Sequence, residues 1–479
     1  MKILITHSYF YKFDPKQWRL SKPYPPFATL LMASVLRNLG HEVYFFDVSF
    51  ASSAGDLIPS LDEFSPDIFM VYDDGFNYLS KMCLTNMRDA ACLMASEASR
   101  RNIKTIISSS DSSDHPEHYL HNGFHYVVQG EAEEAVSELV SALQSGQSPG
   151  SVPNLCFFDN SQLQRNSKRK VKTNLDEFPL AAWDLLDIRP YKQAWRKHGY
   201  FSMNMATTRG CPFKCNWCAK PIYGNRYNSR SPEHVVEELK LMHKLFAFDH
   251  VWFCDDIFGL KPGWVSKFSS LIAESGITFR YKIQSRVDLL LQEQTIAELK
   301  NSGCEEVWVG AESGSQKILD AMDKGTTVAQ IREATLLMKQ EGLKPCFFLQ
   351  FGYPGEMKED IQATVEMLFE LNPFDIGVSV SYPLPGTGFY DKVKGELMQK
   401  SNWTDSDELL LMFRNTYSPA YYKSLHRYVH RRFRASQALE FSLDTAGLKK
   451  FFSWFYFAPA SWLEKVRMSK LENHVEAGL

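Results

Sequence analysis

The chain has 479 residues, 44% hydrophobic and 23% charged, with a formal net charge of −3. This balance excludes a largely disordered chain, a fibre and a disulfide-stapled miniprotein, and the slight acidity argues against a dedicated nucleic-acid binder. No run has the length of a membrane span, Met1–Leu4 opens a strand rather than a secretion signal, and nine cysteines are too few and too odd for a disulfide framework, so a cytoplasmic protein with free thiols is expected.

In chain order, Lys2–Thr6 reads as an apolar strand and Phe27–Leu39 as a helix stopped by Gly40. Strands follow at Glu42–Phe46, Asp67–Val71, Lys104–Ser108 and Phe124–Val128, with helices over Leu84–Arg100 and Ala132–Leu143. The alternation predicts an α/β unit with an open parallel sheet, Rossmann-like or flavodoxin-like, whose ligands bind beyond the carboxyl ends of its strands. No G-x-G-x-x-G follows the first strand, so a dinucleotide is a weak candidate. Residues 146–200 are polar and Gly/Ser/Pro-rich at first, and Lys168–Lys170 reads as a solvated loop face.

A second alternation begins near residue 201. Strands are predicted at Met203–Thr207, His250–Cys254, Thr278–Ile283, Glu306–Gly310, Cys346–Phe351 and Ile376–Ser381, with helices such as Pro232–Leu245 and Thr327–Glu341 between them. Ser231-Pro232-Glu233 is a strong helix start. Each strand ends in polar residues: Asp255-Asp256, Gln284-Ser285-Arg286, Glu312-Ser313 and Gly352 to Glu356, then Tyr382 to Thr387 after the sixth. Any one of these suits a turn or helix cap, but five in register favour a site.

Six cysteines (83, 92, 156, 254, 304 and 346) are scattered and read as small buried hydrophobes. Cys211, Cys215 and Cys218 instead crowd one loop directly after the first strand of the second alternation. A structural zinc site needs a fourth ligand, usually as a second pair, and no such pair stands at suitable spacing. An iron–sulfur cluster on three thiolates leaves one iron without a protein ligand, which marks a catalytic site.

The C-x3-C-x-aromatic-C run after Arg209-Gly210, with six βα units around it, resembles the signature of the radical S-adenosylmethionine (SAM) superfamily. Three further stretches resemble its cobalamin-dependent branch, which includes anaerobic magnesium-protoporphyrin cyclase-like proteins: the G-E-x-E turn at Gly130–Glu133, the G-x-P-G-E turn at Gly352–Glu356 and P-L-P-G-T at Pro383–Thr387. The resemblance implies a cobalamin-binding domain over 1–145, a bridge over 146–200, a partial (β/α)6 barrel over 201–400 and a helical region over 401–479. It implies a 4Fe–4S cluster on Cys211, Cys215 and Cys218, with SAM on the open iron. Asp255 and Asp256 would meet the SAM amino group, Arg286 its carboxylate, Glu312 and Ser313 its ribose or carboxylate, and Gly352 would line the cofactor site. Tyr72, Ser108, Ser109, Gly130 and Glu131 would contact cobalamin, whose lower face lacks a His because D-x-H-x-x-G is absent.

By the same resemblance the expected reaction is methyl transfer to an unactivated carbon of a small or lipophilic substrate, fed by a flavodoxin- or ferredoxin-type electron donor. Radical cyclisation or oxygenation of a tetrapyrrole-like substrate is the alternative. A methylthiotransferase would need a second three-cysteine cluster, and Cys83, Cys92 and Cys156 are too dispersed for one. A non-catalytic iron–sulfur or cobalamin-carrier protein would want a fully ligated cluster or the missing His motif.

Residues after 400 read as helical and aromatic, with basic residues flanking Leu448–Phe457. Two readings stand: aromatics packed onto the barrel, or a helix at a membrane surface holding the enzyme peripherally.

Overall fold

The computed structural model describes residues 1–476 except 74, 77–83, 219–221, 293, 401 and 440–444. Near-continuous apolar runs place the central strands of the first sheet under helices on both faces, as parallel sheets require. These are β1 (Lys2–Thr6), β2 (Glu42–Phe45), β3 (Ile68–Tyr72), β4 (Lys104–Ser108) and β5 (Tyr126–Val128), joined by helices α1 (Phe27–Asn38), α2 (Thr85–Ser99) and α3 (Glu133–Ser145). Every residue of β3 is buried, and α1 buries Phe27, Leu30, Leu31, Met32 and Leu36.

The sheet has seven strands rather than five. The segment expected to be a polar connection contributes β6 (Leu155–Asp159) and β7 (Gln162–Arg165), antiparallel to each other, with β6 also antiparallel to β5. Asn160 and Ser161, at φ 47° and 64°, form the two-residue turn between them. Both positions take the left-handed conformation without a glycine, so the usual hairpin signal is missing from the sequence. Arg169, in the run read as a solvated face, is ion-paired with Glu134 at 3.0 Å and with Glu138. The strand order is β2-β1-β3-β4-β5-β6-β7, so the order reverses between β1 and β3, the place where such sheets bind ligands.

The second sheet is all parallel: β8 (Ser202–Met205), β9 (His250–Phe253), β10 (Arg280–Ser285), β11 (Cys304–Glu312), β12 (Lys344–Phe351) and β13 (Asp375–Val380), hydrogen-bonded in that order. β8 and β13 do not pair, so the sheet is a curled, unclosed partial barrel, wrapped by α4 (Pro232–Phe246), α5 (Trp264–Ser275), α6 (Val328–Gln340) and α7 (Lys358–Leu371). Ser231 caps α4 by accepting the His234 N–H at 3.1 Å, with Pro232 in the first turn. Buried Glu238 on α4 joins the barrel to the segment before it: it accepts from Trp183 Nε1 at 2.8 Å and Ala181 N at 2.9 Å and pairs with Arg230 at 2.6 Å.

The chain ends in helices α8 (Pro419–Leu439) and α9 (Thr445–Glu476), which pack as an antiparallel pair. Of the scattered cysteines, 156, 254, 304 and 346 are buried and Cys92 is half-buried against the core; Cys83 lies outside the described residues. No helix among the described residues is long and apolar enough to cross a membrane.

Candidate functional site

The three clustered cysteines follow the two-residue strand Thr208–Arg209 at the carboxyl end of β8. Asp255, fully buried just after β9, fixes this junction by accepting from Thr207 N at 2.7 Å, Thr207 Oγ1 at 2.6 Å and Thr208 N at 2.8 Å. Burial pushes its carboxyl up to about 6, against the pull of those donors. Asp255 therefore shapes the loop from below, while Asp256 beside it is half-buried. Gly210 turns the chain at φ 76°, and a Cβ there would collide with the carbonyl of Arg226. Only glycine suits both conditions.

Asn216, between Cys215 and Trp217, ties the loop to the end of the short helix Gln316–Ala321 and to the turn after β12. Its Nδ2 donates to Ala321 O at 2.8 Å and Asp323 Oδ2 at 2.7 Å, and its backbone N–H donates to Met322 O at 3.0 Å. The Tyr353 hydroxyl lies 2.9 Å from Asn216 Oδ1 and 2.8 Å from Ala321 O, and Phe389 N donates to Asn216 O at 2.9 Å.

Cys211 is buried, and Cys215 and Cys218 are half-buried; all three are thiols outside any disulfide. Two cations approach from the barrel. Arg286 stacks on Phe213, 3.6 Å from the ring centroid, and its Nη1 lies 3.9 Å from Cys215 Sγ and donates to Lys324 O at 2.9 Å. Its fork, expected to be open for a carboxylate, closes on Asp288 through two 3.0 Å bonds. Lys324 pairs with Glu312 at 2.8 Å; burial works against its charge, but Glu312 and Cys215 outweigh burial and raise its pKa. Gly310 makes room for this pair, because a Cβ there would strike both Glu312 Oε1 and Lys324 Nζ. Ser313 is spent on structure: its Oγ lies 3.0 Å from Thr364 Oγ1 and accepts from Ser315 N at 3.1 Å. Gly352 N donates to Glu356 Oε2 at 2.7 Å, and burial pushes the Glu356 carboxyl up to about 8.

The donor set fits an iron–sulfur cubane: three thiols outside any disulfide on one loop, with cations beside them to offset an anionic group. No set of three His, Cys, Asp or Glu groups among the described residues is tight enough to hold a single metal ion. Cubane thiolates sit on different irons and spread wider than the ligands of one ion.

At the carboxyl edge of the first sheet, Tyr72 is buried, with its carbonyl accepting from Thr29 Oγ1 at 2.6 Å. The Ser108 carbonyl accepts from Asp73 N at 2.9 Å, and Ser109 forms a reciprocal cap with Ser112 through two 2.9 Å bonds. Gly130 N donates to Ser113 Oγ at 3.0 Å. Ser110 Oγ is buried there without a partner among the described residues, so this edge retains unused polar capacity toward a ligand. Both ring nitrogens of His7, just past β1, are taken: Nε2 lies 3.1 Å from Asp47 Oδ1, and Nδ1 accepts from Tyr9 N at 3.3 Å.

The two edges meet through Arg209. Its guanidinium forks onto Glu133 at 2.5 and 3.1 Å, pairs with Glu131, and lies over the rings of Phe178 at 4.6 Å and Tyr223 at 5.1 Å. Arg209 is 4% exposed, Glu133 0% and Glu131 9%, and the buried acids hold the Arg209 pKa well above its ordinary value. Glu131, expected at a cofactor, thus grips the residue two positions before Cys211. Arg209, Asn216 and Lys324 were not among the expected site residues. Arg209 carried a signal, the one charge at the end of an otherwise uncharged strand segment, Ser202–Thr208; Lys324 carried none.

Residues 205–368 match the Radical SAM superfamily, and the chain therefore carries a radical SAM domain, whose chemistry calls for SAM and an iron–sulfur cluster. A protein named as an uncharacterized methyltransferase, from Pyrococcus horikoshii, is 30% identical over 279 residues, covering 58% of this chain and 60% of its own. The chain thus spans well under the full length of that relative. Anaerobic magnesium-protoporphyrin IX monomethyl ester cyclase from Synechocystis is 20% identical across 76% of this chain and 72% of its own. The cobalamin-dependent SAM radical enzyme OxsB superposes on 96% of this chain and 72% of its own with a TM-score of 0.72 at 15% identity, a likeness of fold.

Proposed function

We propose that the protein is a cobalamin-dependent radical SAM methyltransferase acting on an unactivated carbon. The observation that carries this reading is the Arg209 bridge, which sets the cysteine loop against the ligand-binding edge of the first sheet. Cys211, Cys215 and Cys218 would hold the cluster, and the Ser108–Ser110 and Gly130 turns would face cobalamin. When bound, these groups supply the electron for SAM cleavage and the methyl group for transfer. The chain's own part is positional. Asp255 and Asn216 fix the loop, Arg286 and Lys324 place positive charge beside Cys215, and the Arg209 network closes the junction to water. With both His7 nitrogens engaged, this edge offers cobalt no ligand from that histidine. A flavodoxin- or ferredoxin-type protein is the proposed electron donor.

The test is anaerobic reconstitution with iron, sulfide and hydroxocobalamin, followed by SAM and dithionite. A 4Fe–4S spectrum, one bound corrinoid and 5′-deoxyadenosine or S-adenosylhomocysteine are expected. A chain that takes up neither iron nor corrinoid overturns the reading, and a normal cluster without corrinoid overturns its cobalamin half.

A further inference from the structure

Helix α8 lies along the open side of the barrel. At its start Tyr422 is buried against Gly352; near its end Arg434 Nη2 meets Asp375 Oδ1 at 2.9 Å and Gln437 Nε2 meets Phe374 O at 2.7 Å. Helix α9 packs outside it. Its acids turn inward: Glu464 is buried and accepts from Arg431 at 2.8 Å, and Glu472 accepts from Lys358 at 2.9 Å. Met468 and Leu471 pack against the core, but one apolar face turns outward: Phe452 and Tyr456 are 65% exposed, Trp462 62%, Leu463 59% and Phe455 58%. With exposed Pro459, these positions run i, i+3, i+4, i+7, i+10, i+11, a single stripe ~17 Å long.

An aromatic patch of this size on an outer face marks a contact, since scattered exposed apolar residues do not align in this way. The charge around it selects the partner. Residues 419–476 hold ten Lys and Arg against five Asp and Glu, in a chain whose overall charge is −3. Lys449 and Lys450 precede the stripe in sequence, and exposed Lys465, Arg467 and Lys470 follow it. Basic residues at both ends oppose pairing of two copies in either direction, because like charges would then face one another. They match an anionic surface, and Trp and Tyr are the residues that settle at the level of lipid headgroups. No helix among the described residues can span a bilayer, so the stripe lies in the surface plane rather than across it.

We propose that the outer face of α9 docks the enzyme on an anionic lipid surface. Phe452, Phe455, Tyr456 and Trp462 enter the headgroup boundary, and Lys465 and Lys470 hold the lipid phosphates and carboxylates, while Arg467 stays on Glu464 at 3.3 Å. Docking needs neither cluster nor corrinoid, so it stands or falls apart from the catalytic reading.

The experiment is co-sedimentation of the full chain with phosphatidylcholine vesicles, with and without phosphatidylserine, supported by solution mass from light scattering. The chain is expected to sediment with phosphatidylserine vesicles, to leave them at high salt, and to bind phosphatidylcholine weakly. Each Lys or Arg near such a surface is worth about fivefold in partitioning, so Lys465→Glu with Lys470→Glu should weaken binding by at least about 25-fold. Phe455→Ser with Trp462→Ser should weaken it by about 100-fold, from the apolar area withdrawn. All four side chains are exposed, so thermal unfolding should stay at the parent midpoint, which separates lost docking from lost folding. Absence of the parent chain from the phosphatidylserine pellet overturns the proposal, as does equal sedimentation of parent and both double variants. A parent dimer that Phe455→Ser/Trp462→Ser converts to monomer, without vesicle binding, also overturns it and assigns the face to self-association.

Discussion

Replacing Arg209 by Met tests the junction directly. Two carboxylates, one of them fully buried, would lose the guanidinium that both grip. Removing one partner of a buried pair leaves an uncompensated charge and costs about 3–5 kcal/mol, a large share of the about 5–15 kcal/mol that holds a domain together. Burial, opposed by Arg209, already raises the Glu131 pKa; without Arg209 it rises further. A carboxyl whose folded pKa exceeds its unfolded value destabilises the folded state as pH rises between the two, so the defect should be largest in alkali and shrink as pH falls. The assay is urea unfolding of the apoprotein for parent and variant at about pH 8 and about pH 5.5, with the difference in midpoint converted through the slope. The triple variant Arg209→Met, Glu131→Leu, Glu133→Leu, which removes every charge, should recover most of the loss. A loss below about 1 kcal/mol at the higher pH, or one that does not depend on pH, would refute the reasoning.

The remaining predictions concern the loop and the β12 turn. Gly210→Ala must place a side chain at φ 76° against the Arg226 carbonyl; at least about 1–2 kcal/mol of backbone strain should appear as a lower unfolding midpoint and less than the parent's iron per chain after reconstitution. Asn216→Ala removes the bonds to Ala321 and Asp323 and should cost about 2 kcal/mol. Cluster lability, followed as the decay of visible absorbance under chelator, should rise with it. Glu356 has a carboxyl raised by burial from 4.5 to about 8, so the parent loses stability as pH climbs through that window. Glu356→Gln, which can still accept from Gly352 N, should flatten that slope in urea midpoints taken across pH.

The sequence made the alternation of strands and helices legible because apolar runs and helix stops are local. Six barrel strands were placed within a few residues of their observed ends. β6 and β7 escaped because their turn is built from Asn160 and Ser161 in left-handed conformations, without the glycine that usually announces one. The cysteine loop was legible from spacing alone. Its supports were not: Asn216 acts on Asp323, 107 residues on, and Lys324 on Glu312, 12 residues back at the end of β11, and no periodic pattern encodes such pairings. Arg286 shows the opposite limit. Its residue type and position suggested an open fork, yet Asp288, only two residues on, occupies it. The aromatics of α9 were read as a choice between inward packing and a surface, and only the orientation of Glu464 and Glu472 gives the helix its direction.

Three buried charges are a poor means of gaining stability, since desolvation offsets much of their attraction and an apolar trio of the same volume would hold as well. What the Arg209 fork supplies is direction. Glu133 lies at the start of α3, beyond the carboxyl end of β5, and Glu131 lies on the turn before it, so both carboxylates are fixed by the first sheet. Arg209 belongs to the strand paired with Asn228–Ser229 and stands two residues before Cys211, so it is fixed by the barrel. A planar group with donors at set angles satisfies both acids in one register only. Leucines would tolerate a slide of the sheet edge along the loop; the ion triad does not. The distance between whatever the thiols hold and whatever the sheet edge holds is thereby set by the fold before either arrives.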